Sequence, residues 1–256
     1  MRRRRGLLLL LLEGALSLLA WMGISAATAW WTLMLAVLYL LHPLLDPRGR
    51  IGHWVAAGWG RGLIRMAPGC RIEISGWENI PPGRPVIFMA NHQSYVDVPT
   101  LFFLPGPFKW MADEGLFRIP IFGWALCLGG HVSVRRGDPR AGLRSMEQAK
   151  GWLARKVYIF VFPEGTRSHA AVFGRFQTGG FRLAGATGTP IVPVVLVGTR
   201  QHLPRGSWIF RWGMRLKIRI LPAVGPPPDA KAIHPLAQQV RAEMAKVYRE
   251  QLKALR

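Results

Sequence analysis

The chain has 256 residues, half of them hydrophobic, with 34 Lys and Arg against 13 Asp and Glu and a net charge of +21. Only 18% are charged, so composition excludes a disordered chain, and the length suits one large α/β domain with an appendage. Two cysteines, Cys70 and Cys127, form neither a disulfide framework nor a Cys-x-x-Cys metal site, and both read as small buried residues. The cationic excess, 27 Arg and 7 Lys, points to an anionic partner such as a nucleic acid, an acidic lipid surface or a phosphorylated substrate. Composition bias explains the charge equally well, so the motifs must decide.

Arg2, Arg3, Arg4 and Arg5 precede a leucine run, and after Glu13 no formal charge occurs in residues 14–41. One helix over that stretch would be about 42 Å long, against a hydrocarbon core of about 30 Å. The softest point for a turn is Gly23-Ile24-Ser25-Ala26-Ala27-Thr28. Arg48, Arg50, Arg61 and Arg65 make the far flank as basic as the near one, which favours placing both on the cytoplasmic side; a helical hairpin or a re-entrant pair satisfies that, and one straight pass does not. A cleaved signal peptide fits less well, because Glu13 interrupts the apolar run and residues 30–41 prolong it. Residues 1–47 are therefore expected to be a membrane anchor closed by Pro43 and Pro47, holding the domain at the cell or inner membrane on its cytoplasmic face.

Residues 48–225 follow as one α/β unit. Ile51, Trp54, Val55, Trp59, Leu63 and Met66 recur at helical spacing, suited to a membrane interface or a packed core. Residues 70–74 read as a short strand, and 85–90, 157–162 and 191–197 as buried strands by their unbroken apolar runs. A helix over 140–155 lies between the first two, and strands alternating with helices predict a largely parallel central sheet flanked by helices. Residues 214–221 alternate Leu216, Ile218 and Ile220 with Arg215, Lys217 and Arg219, a strand buried on one face. Residues 226–256 are a proline linker and a terminal helix striped by Leu236, Val240, Met244, Val247 and Leu252.

Two strand ends carry chemistry. Asn91-His92-Gln93-Ser94-Tyr95-Val96-Asp97 follows the first buried strand, where open α/β sheets bind ligands. On one regular helix, residues five apart point about 140° away from each other, so His92 must sit in the turn and Asp97 in the following helix if they touch. Asp97 would then fix the imidazole tautomer and leave the other nitrogen as a base; a helix cap with a first-turn acid is the plainer alternative. Phe162-Pro163-Glu164-Gly165-Thr166-Arg167-Ser168 ends the second strand: Gly165 permits close backbone approach, and Arg167 offers a bidentate fork for phosphate.

Asn-His-x-x-x-x-Asp with Phe-Pro-Glu-Gly-Thr-Arg, about 70 residues apart and in that order, resembles the glycerolipid acyltransferases, specifically the 1-acylglycerol-3-phosphate O-acyltransferases. Gly76-Trp77-Glu78-Asn79-Ile80-Pro81 and Pro190-Ile191-Val192-Pro193-Val194 extend the resemblance over about residues 76–197. It implies that His92 is the general base and Asp97 its orienting acid. It implies an acceptor-binding block of Glu164, Gly165, Thr166 and Arg167, with Arg136 as a further phosphate ligand. Acyl transfer from acyl-CoA or acyl-carrier protein to lysophosphatidate, giving phosphatidate, is the expected reaction, with membrane lipids as neighbours and no nucleic acid. The two-helix membrane motif also resembles bacterial members. Two positions depart from the pattern: Arg135 stands where an acid is usual, and Gln177 where a lysine is usual, with Arg175 nearby as a substitute cation. These departures keep another lysolipid open as acceptor, and the charge keeps a non-enzymatic basic protein at a membrane surface as the rival outside catalysis. No cofactor or metal is expected, since the seven His lack ligand spacing.

Overall fold

The computed structural model describes residues 7–41, 50–168 and 173–255. In chain order the elements are α1 (Leu7–Leu40), α2 (Ile51–Met66), β1 (Arg71–Ser75), β2 (Ile87–Ala90), α3 (Asp97–Leu101), β3 (Phe108–Asp113), α4 (Glu114–Phe117), α5 (Phe122–Leu128), β4 (Val132–Val134), α6 (Pro139–Ala154), β5 (Tyr158–Val161), α7 (Gly179–Thr187), β6 (Ile191–Val197), α8 (Thr199–His202), β7 (Arg215–Ile220) and α9 (Ile233–Lys253). The strands form one sheet in the order β1-β7-β6-β2-β5-β3-β4. From β6 to β4 all neighbours are parallel; β7 runs antiparallel to β6, and β1 runs parallel to β7.

The apolar runs place β2 at the centre, with Phe88 in register with Phe160 of β5 and Val192 of β6. Alternation sends Ile87 and Met89 to one face of the sheet and Phe88 and Ala90 to the other. The first face is covered by α6, α7 and α9, whose Leu153, Leu183 and Met244 join Ile87 and Ile159 in the larger core. Against the second face pack Leu101 and Phe102, after the site, and Ala57 of α2. Each fully buried side chain of this size contributes about 1.5–3 kcal/mol relative to exposure. The helix expected over 140–155 starts at Pro139, where Asp138 caps it by accepting the Ala141 N–H at 3.0 Å. β7 alternates as expected, and Lys217 pairs with Glu73 of β1 across the strands at 3.3 Å.

Two expectations are corrected, and one choice left open is narrowed. First, α1 runs unbroken through residues 23–28, so the expected turn there does not exist. The small polar residues satisfy themselves along the helix instead: Ser17 Oγ donates to Glu13 O, Thr28 to Ile24 O and Thr32 to Thr28 O, each at 2.6–2.7 Å. α2, which lies beyond the stretch expected to form the hairpin, packs against α1. Arg2–Arg5, Pro43, Pro47 and Arg48, on which the flank-charge reading leans, lie outside the described residues.

Second, of the two placements open for the Trp54 stripe, a packed core is the one not taken: α2 buries Gly52, His53, Ala57, Gly60 and Ile64 instead, and Ile51, Trp54 and Met66 face outward. Its glycines are the reason: a Cβ at Gly60 would clash with the Phe102 ring and one at Gly58 with Trp31. Small residues let the helix approach the domain and α1 closely. Third, Cys127 is exposed and Cys70 half-buried, because α5 turns its Cys127 face away from the core.

α1 is long and apolar enough over Leu11–Leu40 to cross a membrane, by length and composition. It is tied to the domain by Trp21 Nε1 donating to Trp208 O at 2.7 Å and by Phe210 N donating to Ser17 Oγ at 2.9 Å. The opposite side of the helix exposes Leu11, Leu12, Leu18, Leu19, Met22 and Leu33, making α1 a candidate membrane segment that is also packed on the fold.

Candidate active site

β2 and β5 are adjacent and parallel, so the residues that follow them meet at the C-terminal edge of the sheet. Asn91 locks the exit of β2 to β6: its Nδ2 donates to Leu196 O at 2.9 Å and its Oδ1 accepts Leu196 N–H at 2.8 Å. His92 then lies in the turn before α3, and Asp97 is the first residue of that helix. This is the turn-and-helix placement that the five-residue spacing demanded.

The imidazole Nδ1 of His92 is 2.7 Å from Asp97 Oδ2. The same oxygen accepts the backbone N–H groups of Gln93 at 2.6 Å and Ser94 at 2.8 Å. A fully buried carboxylate that takes two main-chain donors is fixed in orientation. It can accept the proton on Nδ1, leaving the lone pair of the imidazole on Nε2. Phe162 stacks on the imidazole at 4.0 Å between centroids and 15° between planes, setting the ring plane from the other motif. His92 keeps 17% of its side chain exposed, whereas Asp97 has none. The pair is thus a reachable base backed by a buried acid.

Glu164, expected to touch the acceptor, has both carboxylate oxygens engaged within the chain. Oε1 accepts the His92 N–H at 3.0 Å; Oε2 accepts the Gly174 N–H at 2.9 Å and the Ser168 hydroxyl. Ser168 in turn donates its N–H to His92 O at 2.8 Å. Glu164 is buried, and it braces the two motifs against each other.

Gly165 adopts φ +70°, a conformation that favours glycine, and its carbonyl accepts a hydrogen bond from the Arg136 guanidinium. A Cβ at Gly165 would occupy the place of that guanidinium. Thr166 is exposed on the same loop. Arg167 stacks its guanidinium on the Tyr95 ring at 3.7 Å from the centroid, which carries it to the His92 side of the loop. Arg205, absent from the sequence motifs, donates to the Arg167 carbonyl and fixes that residue from α8's side of the sheet. Every expected site residue is therefore on this one edge.

The two departures have structural accounts. Arg135 makes a two-pronged ion pair with Glu114 of α4, so its charge is taken up there. That pair holds the Glu114 carboxyl down at about 2, chiefly through the Arg135 hydrogen bonds. Gln177 is exposed, and its N–H donates to Pro163 O at 2.7 Å, so it sits beside the Glu164–Arg167 loop without a charge.

Sequence reasoning missed Phe162 as the stacking partner of His92, and Gln93, whose side chain accepts from Tyr248 of α9 at 2.9 Å. Tyr248 falls four residues after Met244 on the apolar stripe of α9, and that one polar tip was the available signal. Among the described residues no group of three or more His, Cys, Asp or Glu could hold a metal ion.

The family model described as Acyltransferase matches residues 71–197, which contain both motifs. A 1-acyl-sn-glycerol-3-phosphate acyltransferase of Pseudomonas aeruginosa is 30% identical over 234 residues, covering 88% of this chain and 87% of that protein. The chloroplastic enzyme of that name in Arabidopsis thaliana is 37% identical over 190 residues, covering 72% of this chain, and the chain spans about half (51%) of that relative's length. The crystal structure of the 1-acyl-sn-glycerophosphate acyltransferase of Thermotoga maritima superposes with a TM-score of 0.67 at 26% identity, covering 88% of this chain and 94% of that one. With the His92–Asp97 pair and the Glu164–Arg167 loop on one sheet edge, the chain belongs to the acyltransferase family of the 1-acyl-sn-glycerol-3-phosphate acyltransferases.

Proposed function

We propose that the protein transfers a fatty acyl group from a thioester donor to the free hydroxyl of lysophosphatidate, giving phosphatidate for phospholipid synthesis. The observation that carries this reading is a reachable His92, backed by buried Asp97 at 2.7 Å, on the same sheet edge as the Arg136 and Arg167 guanidinium groups. A base and an anion-binding fork side by side suit an acceptor that carries both a hydroxyl and a phosphate.

His92 Nε2 removes the proton from the acceptor hydroxyl as that oxygen attacks the thioester carbonyl. The carbonyl carbon becomes tetrahedral, with negative charge on its oxygen. Collapse breaks the carbon–sulfur bond, and the departing thiolate takes the proton from His92. Asp97 stabilises the imidazolium while it exists and keeps Nε2 aimed at the acceptor. Arg136 and Arg167 hold the phosphate, and Glu164 keeps their loop in register with His92. The donor is acyl-CoA or acyl-carrier protein; both deliver the same thioester. α1 places the domain at a membrane, facing the cytoplasm, where amphiphilic acceptor and product reside and thioester donors are made.

The test is an acceptor panel with purified full-length protein and labelled acyl-CoA and acyl-carrier protein donors. Phosphatidate should form from lysophosphatidate at a kcat/KM at least about tenfold above the values for lysophosphatidylcholine and lyso-ornithine lipid, the discrimination of one charge-assisted phosphate contact. Preference for an acceptor without a phosphate monoester would overturn the lysophosphatidate assignment and make the uncharged Gln177 its structural correlate.

A further inference from the structure

α9 lies outside the residues that carry the family motifs, yet it reaches the catalytic turn by two routes. The first is direct. Tyr248, 1% exposed, donates its hydroxyl to Gln93 Oε1 at 2.9 Å, and Gln93, fully buried, donates its own N–H to Asp97 Oδ2 at 2.6 Å. The second starts at Arg241, two helical turns earlier and so on the same side of α9. Its guanidinium donates to Phe173 O and Gly174 O, both at 2.7 Å. Gly174 N–H goes to Glu164 Oε2 at 2.9 Å, and Glu164 Oε1 takes His92 N–H at 3.0 Å. Phe173 also packs its ring on Tyr248 at 5.3 Å between centroids, joining the two routes. Both end on the backbone of the residues that aim the base.

We propose that Tyr248 is a positioning residue for the acyl-transfer reaction: through Gln93 it holds the His92–Asp97 turn from the C-terminal helix, so α9 is part of the catalytic architecture. The need for such a brace follows from the turn itself. Asp97 Oδ2 gathers His92 Nδ1 and two main-chain N–H groups, and a small rotation of residue 93 would withdraw one donor and tilt the imidazole. Tyr248 supplies the hydrogen bond that holds the Gln93 side-chain oxygen, while its buried Nε2 has no partner, so this one link carries the amide's orientation. Burial pushes the Tyr248 phenol up from its ordinary value, so it remains a donor over the working pH range. The hydrogen bond lies behind the catalytic turn; Tyr248 acts on the base through Gln93 and touches no substrate.

This inference rests on the acyl-transfer reading, and its test carries one readout that does not. Tyr248→Phe keeps the ring and removes only the hydroxyl. In full-length protein with acyl-CoA and lysophosphatidate, kcat should fall about 3- to 10-fold, the worth of one buried hydrogen bond, while both KM values stay within about twofold. Gln93→Leu should lower kcat by a similar factor, and the double variant should lose no more than the worse single one, since both remove the same link. Arg241→Lys supplies an independent arm should Tyr248→Phe fail to fold, with the same kcat-against-KM pattern expected.

The readout independent of activity is the NMR signal of the His92 Nδ1 proton shared with Asp97, assigned by its loss in His92→Ala. It should shift or broaden in Tyr248→Phe. An inactive parent would end the reading of the preceding subsection and leave this one to be decided by that signal. A kcat within about 1.5-fold of the parent, factors that multiply in the double variant, or an unmoved His92 proton would each overturn the proposal and leave Tyr248 a packing residue.

Discussion

The backbone N–H of His92 donates to Oε1 of Glu164 at 3.0 Å, tying the turn that bears the base to the loop that bears the arginines. The two residues are 72 positions apart in sequence. Because Glu164 Oε2 holds Gly174 N–H and Ser168 as well, one buried carboxylate sets the spacing between base and phosphate fork.

Glu164→Gln should therefore be costly although it removes no substrate contact. Its amide NH2 would face a donor on one side, leaving a buried N–H or hydroxyl unsatisfied at a cost of about 1–3 kcal/mol. A lower Tm together with a lower kcat, by thermal unfolding and steady-state kinetics, is the expected pair of results. A change in acceptor KM alone would place Glu164 on the substrate instead.

Asp97→Asn should leave the fold intact and lower kcat by roughly 10²- to 10⁴-fold, because the amide cannot stabilise an imidazolium as a carboxylate does. Stopped-time acyl-transfer assays beside circular dichroism would separate the two effects.

Gly165→Ala should weaken acceptor binding by displacing the neighbouring Arg136. The left-handed backbone at φ +70° costs a residue with a Cβ about 1–2 kcal/mol, and the new methyl displaces the Arg136 guanidinium. The KM for lysophosphatidate should rise by about tenfold or more, matching Arg136→Ala. An unchanged KM would remove Arg136 from the phosphate site.

Acid should destabilise the domain from inside α2. His53 is buried, with its pKa lowered from 6.5 to about 3 by desolvation first and by the nearby Lys109 charge second. On unfolding between those values the histidine takes up a proton, so stability is complete above about pH 6.5 and is lost as pH falls towards 3. The loss approaches about 1.4 kcal/mol per pH unit for this one group. Tm measured against pH should slope accordingly, and His53→Gln should flatten the slope.

The sequence was legible where burial is continuous and chemistry is local. β2, β5 and β6 are unbroken apolar runs because the sheet buries both their faces, and His92 and Asp97 needed only a turn and the start of a helix to meet. β3 was not legible, since its buried Lys109 and its exposed terminal Asp113 break the apolar run. β4 has only three residues, and α7 carries three glycines in nine positions, so neither has a periodicity to read. The continuity of α1 depends on hydroxyls bonding back along the helix, which composition registers only as polarity. The Tyr248–Gln93 contact spans 155 positions and exists only once α9 docks on the sheet.

The most direct measurement is acyl transfer from labelled acyl-CoA and acyl-carrier protein to lysophosphatidate by the parent and by His92→Ala. Phosphatidate formed by the parent, with the rate reduced by about 10²-fold or more in the variant, is the result this structure predicts. Undiminished transfer by His92→Ala would contradict His92 as the base, and no transfer by the folded parent to any lysolipid would contradict the acyltransferase reading itself.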